Sequence, residues 1–270
     1  MRIAKIYVSL FLIISFFLLS CSTVPVTGRK QLIIIPSTTM LSTSFKQYDE
    51  FLKTNKLSNN QEKTQMVKKV GKKIQKAVEE YFAEYNMPYE LRGYDWEFNL
   101  VESPEANAWA MPGGKVVVYE GMLPVAKDEA GLAVVMGHEI AHAIAKHGGE
   151  RMSQGLVAQM GSMALTKALK EQPAKTQQLW MMAFGIGAQY GVILPYSRLQ
   201  ESEADHLGLI FMAMAGYDPN RAIGFLDRMA KTKNKQAPPE FMSTHPSDET
   251  RIRKAKEAIP KVMQYYKKSN

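Results

Sequence analysis

Cys21 is the sole cysteine of the 270 residues, so no disulfide within the chain can staple the fold. Beyond the N-terminus no stretch of about 18 uninterrupted apolar residues occurs, which argues against a membrane-spanning helix in the body of the chain. Internal repeats and long low-complexity segments are also missing, which excludes a solenoid or a disordered tail protein. An acidic excess is absent as well: Lys and Arg outnumber Asp and Glu, for a net charge of +8. Part of that excess lies near the N-terminus and part in a basic end (Lys261, Lys267, Lys268), so it forms no single patch. A nucleic-acid partner is therefore not expected; mild attraction to an anionic membrane surface is. With 46% apolar and 22% charged residues, the composition is that of one ordinary globular domain or two small ones.

The N-terminus has a basic start (Arg2, Lys5), an apolar run Ile6–Leu19, and Ser20 before Cys21. The run is short of the roughly 20 residues that a spanning helix needs. Residues 1–20 resemble the lipoprotein signal of bacteria. That resemblance implies cleavage before Cys21 and a palmitate-type lipid anchor on Cys21. With Ser22 next in line, it also implies an outer-membrane location facing the periplasm. Residues 21–43 read as a tether, and residues 44–270 as the folded domain.

Within that domain Val67, Val70, Ile74, Ala77, Val78 and Tyr81 recur at three and four, which predicts an amphipathic helix. Lys68, Lys69, Lys72, Lys73 and Lys76 form its solvated face. Residues 94–102 alternate as a half-buried strand does, Pro112-Gly113-Gly114 reads as a turn, and Lys115–Tyr119 as a second strand. Asp128 can cap a helix running from Ala130 through His147 and stopping at Gly148-Gly149. Residues 152–194 read as a helical hairpin that could lie over the site. A helix spans Ser197–Met214, Gly216 ends it and Pro219 starts another.

The residues with chemistry begin at His138-Glu139-Ile140-Ala141-His142. On a helix, positions four apart share a face, so both imidazoles can reach one ion. Glu139 falls on the next flank, beside a water that such an ion would hold. Two histidines and a glutamate are costly on a helix this apolar unless a partner satisfies them. A catalytic zinc site needs a third protein donor. His147 has the wrong spacing and reads as a helix C-terminal residue favoured by the dipole. Glu201 and Asp205 share a face of the later helix; one can bind metal while the other accepts a hydrogen bond from a ligand histidine. Glu203 points away, towards solvent or a salt bridge.

Together these segments resemble the gluzincin metallopeptidases that include the CaaX prenyl-protein endopeptidase and HtpX, above all their periplasmic lipoprotein members. The resemblance is carried by Asn107–Gly114, by His138–His142, by Ser197-Arg198 with Glu201, Ala204, Asp205 and Gly208, and by Thr244-His245-Pro246 with Arg251. It implies an α+β, mainly helical, zincin-like metallopeptidase domain with a small β-sheet whose edge strand lies beside the HExxH helix. It implies one zinc ion per chain, held by His138, His142 and Glu201, with Asp205 supporting a ligand. Glu139 would be the general base on a zinc-bound water. His245 would stabilise the oxyanion or occupy the metal's open position at rest. Lys115, Val116, Val117, Val118 and Tyr119 are expected to form the edge that takes an extended substrate. The expected activity is endoproteolysis of unfolded or misfolded envelope proteins. The competing reading is a zinc-bound envelope lipoprotein that binds partners, chaperone-like, and cleaves little. Glu139 speaks against it, since a structural zinc site needs no base.

Overall fold

The computed structural model describes residues 21–232, 240–245 and 249–266. Residues 1–20, Pro246, Lys267 and Lys268 lie outside the described residues. Two compact units make up the chain. One is built from residues up to Met40 and from Lys146–Leu199; the other from Leu41–Ala145 and from Gln200 onward.

The second unit carries the HExxH motif. Strand β3 (Glu97–Val101) pairs in parallel with β5 (Lys115–Tyr119), which pairs antiparallel with β4 (Ala108–Met111). The sheet order is β3-β5-β4. Helix α1 (Ser37–Thr54) enters this unit at Leu41, and α2 (Gln61–Glu84) follows it. Asn60 caps α2 by accepting from the Lys63 amide. Val67, Val70, Ile74, Ala77, Val78 and Tyr81 are all buried, as their spacing predicts. Full burial of each of the Val and Ile side chains contributes about 1.5–3 kcal/mol. At Gly71 a side chain would collide with the Phe98 ring, so a glycine lets α2 lie against β3.

β3 does not alternate as expected: Phe98, Asn99, Leu100 and Val101 are all buried. Both faces of the sheet are covered, and the buried Asn99 is satisfied by donating to the Tyr48 hydroxyl of α1 at 2.8 Å.

Helix α3 (Glu129–Ile144) begins where Asp128 accepts from the Gly131 amide at 2.9 Å. It stops before the expected Gly148-Gly149, because Lys146 takes the left-handed conformation (φ 60°) and breaks the hydrogen-bond ladder. Between Gln200 and Met214, the second half of helix α6 (Leu194–Met214) belongs to this unit. The left-handed Gly216 (φ 83°) follows its end. Helix α7 (Arg221–Thr232) buries Ala222, Phe225, Leu226 and Met229 on one face, and α8 (Glu240–Thr244) and α9 (Glu249–Val262) complete the unit.

In the first unit, residues 21–43 depart from the expected tether. Cys21–Thr23 (β1) and Lys30–Leu32 (β2) form an antiparallel hairpin, and α1 already begins at Ser37. The hairpin is fastened to helix α4 (His147–Ala168): Arg29 donates to both carboxylate oxygens of Glu150, each at 2.8 Å. Residues 152–194 do form a helical hairpin, from α4 and α5 (Ala174–Ala188), followed by a π-helical turn Gln189–Ile193. No described helix is long and apolar enough to cross a membrane.

Helices α3 and α6 meet at two glycines. A Cβ on Gly208 would sit 2.9 Å from the His138 amide nitrogen, and one on Gly137 would sit 3.0 Å from the Gly208 carbonyl oxygen. Gly208→Ala is therefore expected to destabilise the fold by about 1–3 kcal/mol in urea unfolding. Gly155→Ala, in open space on α4, is expected to be neutral or to stabilise by up to about 1 kcal/mol.

Candidate metal centre

Because α3 and α6 lie backbone to backbone, their polar residues face one another at short range. His138 and His142 stand one turn apart on α3 with Nε2 atoms 3.1 Å apart. Glu201 of α6 reaches both: Oε2 lies 3.4 Å from His138 Nε2 and Oε1 lies 3.2 Å from His142 Nε2. His245, just after α8, points Nδ1 at the same spot, 3.2 Å from His138 Nε2 and 3.0 Å from Glu201 Oε1. These four residues each offer one donor atom, all within 4.8 Å of one another, and three of the four are buried.

The spacing suits a small divalent ion. A tetrahedron with bonds of 2.0–2.1 Å has edges of roughly 3.3–3.4 Å, close to the separations found here. Two imidazole nitrogens and a carboxylate are also the donor set that zinc prefers. Without a cation or a shared proton, ring nitrogens this close would repel.

The neighbours are arranged around that cluster. Asp205 Oδ1 lies 3.0 Å from His138 Nδ1, which fixes the ring so that Nε2 faces the centre. Arg251 in turn grips Asp205 with two hydrogen bonds, Nε to Oδ2 at 2.8 Å and Nη2 to Oδ1 at 2.7 Å. The same guanidinium donates to the His245 carbonyl at 3.0 Å and lies 3.3 Å from Glu201 Oε2. Arg251 thus ties α9, α6 and the His245 turn together; in the sequence it stands out only within a family motif. Glu139 is buried on the flank, with Oε1 3.5 Å from His245 Nε2.

Titration follows from these contacts. Burial alone would lower the His138 pKa, but the hydrogen bonds and charges of Asp205 and Glu201 outweigh it and raise it to about 9. Burial pushes the Glu201 carboxyl up, yet hydrogen bonds from His138, His142 and His245 pull it well below the usual carboxylate range. Asp205 is likewise held low, chiefly by Arg251.

Several expectations need correction. Lys115, Val116, Val117, Val118 and Tyr119 do not form an edge: they are the central strand β5, paired on both sides, and the first four are buried. The edge beside α3 is β4, within the Asn107–Gly114 segment. The Asn107 carbonyl accepts from the Tyr119 amide, so alternation turns the backbone groups of Ala108 and Ala110 away from β5. Of the two readings of Glu203, towards solvent or a salt bridge, burial rules out the first, because its side of α6 packs inward. His147 opens α4 instead of closing α3, and it is not among the four clustered donors.

Comparison with known proteins agrees with this geometry. Residues 68–259 match peptidase family M48. The chain belongs to that family, and its described domain is a metallopeptidase domain. It is 37% identical to the mitochondrial metalloendopeptidase OMA1 of Schizosaccharomyces pombe, over 61% of this chain and 47% of that protein. With the mitochondrial metalloendopeptidase OMA1 of Homo sapiens it shares 27% identity over 93% of this chain and 48% of that protein. With the beta-barrel assembly-enhancing protease of Yersinia pestis it shares 31% over 59% of this chain and 33% of that protein. The chain thus spans about half, or less, of the length of these relatives. They also correct the expected location: OMA1 proteins are mitochondrial by name, which conflicts with a bacterial outer-membrane lipoprotein facing the periplasm.

A proton on His138 competes with a metal for the same site. Zinc titrated into metal-free protein at pH 7 should release about one proton. Zinc affinity should rise with pH until His138 loses its proton near pH 9. Calorimetry in buffers of different ionisation enthalpy measures both; affinity that does not change with pH would contradict the assignment.

Proposed function

We propose that the protein is a zinc-dependent endopeptidase that hydrolyses peptide bonds in unfolded polypeptides, with one ion held by His138, His142 and Glu201. The observation that carries this is the convergence of those donor atoms at 3.1–3.4 Å with Glu139 on the same flank. Bound there, zinc would polarise the scissile carbonyl and make water acidic enough to attack near neutral pH. Glu139 accepts a proton from the attacking water as its oxygen bonds to the carbonyl carbon, and returns it to the amine nitrogen as the C–N bond breaks. Asp205 and Arg251 hold His138 in the tautomer that leaves Nε2 free to bind.

Substrate binding belongs to β4 in this account. An extended chain can pair with the outward backbone groups of Ala108 and Ala110, which confers affinity with little sequence preference. That suits unfolded chains. His245 would be a fourth donor to that ion, a reading favoured by its Nδ1 lying 3.2 Å from His138 Nε2 and 3.0 Å from Glu201 Oε1. The narrower kinship with the CaaX prenyl-protein endopeptidase and HtpX stays part of this proposal, as does attachment to a membrane through a lipid on Cys21.

Glu139→Gln should keep its zinc while cleavage of a permanently unfolded protein falls by at least about a hundredfold. Cleavage close to wild type would refute the assignment of the base. Ala110→Pro removes one outward amide from the edge strand, which an edge tolerates. It should raise KM by up to about tenfold and leave kcat nearly unchanged.

A further inference from the structure

A groove of about 240 Å3 runs between helices α6 and α9 and shares no residue with the four clustered donors. Ser202 and His206 line it from α6, one turn apart. Lys254 and Lys261 line it from α9, two turns or about 10 Å apart. Its volume is below that of most pockets for drug-sized ligands, which suits a small ion or a single headgroup.

The surplus charge of this groove is positive. Two acids, Asp205 and Glu257, also line it, but a guanidinium already holds each of them. Arg251 bonds Asp205 at 2.7 and 2.8 Å, and Arg253 bonds Glu257 at 2.8 Å. Among the described residues neither Lys254 nor Lys261 is paired with a carboxylate. Lys254 donates to Ser202 Oγ at 3.2 Å, which leaves the hydroxyl proton free to be donated in turn. One turn along α6, burial and the charge of Lys261 hold the His206 pKa below the usual histidine value, against the opposing charge of Glu203. His206 is thus a neutral ring with one N–H to donate.

We propose that this groove binds a phosphate group, as the free ion or as part of a lipid headgroup, and that the bound anion clamps α9 to α6. The donors set the chemistry. A hydroxyl, a ring N–H and two ammonium groups approach from two helices, and flexible four-carbon stems let both ammonium groups reach one ion. A tetrahedral oxyanion presents oxygens in as many directions, whereas a carboxylate presents two in one plane. Lysine binds phosphate as a point charge, without the planar fork that matches a carboxylate. The clamp has a consequence beyond the groove. Arg251, which grips Asp205, stands three residues before Lys254 on α9, so holding α9 in place also steadies the support of His138.

The test titrates inorganic phosphate into the full-length, metal-free protein at constant ionic strength, following the His206 ring protons by NMR. With no zinc present, phosphate has no metal to ligate, and the outcome is independent of the metal assignment. One saturable site is expected, at least about tenfold tighter for phosphate than for acetate. Lys254→Met and Lys261→Met should each weaken it by about tenfold, with helix content unchanged. Bound phosphate should slow amide hydrogen exchange across Glu249–Val262 in the wild type and not in the double variant. The source is read with vesicles. Binding to phosphatidic acid vesicles but not to phosphatidylcholine ones, lost in the double variant, marks a lipid headgroup; saturation by inorganic phosphate without vesicle binding marks the free ion. Equal affinity for acetate and phosphate, affinity untouched by both lysine substitutions, or exchange that ignores bound phosphate would overturn the inference.

Discussion

Any side chain on Gly208 would drive α6 off α3, and the metal centre exists because none is there. The two helices touch through backbone at Gly137 and Gly208. One residue along from Gly137 is His138; seven back from Gly208, two turns of helix, is Glu201. Close contact at the glycines thus sets the separation of the donor atoms. A separation wider by even one methyl group would leave two imidazoles and a carboxylate buried without a shared partner, which is strongly unfavourable.

A second constraint is charge. Glu201 and Asp205 both lie deep in the protein, and each is kept ionised by specific neighbours: three histidines for one, Arg251 and His138 for the other. The arrangement is layered. Arg251 holds Asp205, Asp205 orients His138, and His138 presents Nε2 to the centre. Each layer spends its polar groups on the one within, so few are left unsatisfied. The same guanidinium also bonds the His245 carbonyl, which links the end of α8 to the centre that it neighbours.

How much was legible depended on whether the signal was local. The α3 start could be read from Asp128, and the α2 face from its three-and-four spacing, because both effects act within one helix. Glu201 and Asp205 could be paired with α3 because shared-face spacing survives any packing. Strand order could not be read in that way. An edge position for Lys115–Tyr119 sits poorly with Val116-Val117-Val118, an unbroken apolar run and the pattern of a strand covered on both faces. The α3 stop was hidden because Lys146, a residue with no turn preference, adopts the left-handed conformation. The burial of Glu203 is not legible, because a helical wheel shows direction but not what lies there. His245 and Arg251 are distant in sequence from the motif and join it only through the fold.

The central claim is that one ion bridges α3 and α6. Anomalous diffraction at the zinc edge, from crystals of zinc-loaded protein, tests it most directly. The account predicts a single strong peak within about 2.0–2.2 Å of His138 Nε2, His142 Nε2 and an oxygen of Glu201. A peak elsewhere, or one that contacts the histidines with Glu201 turned away, would contradict it.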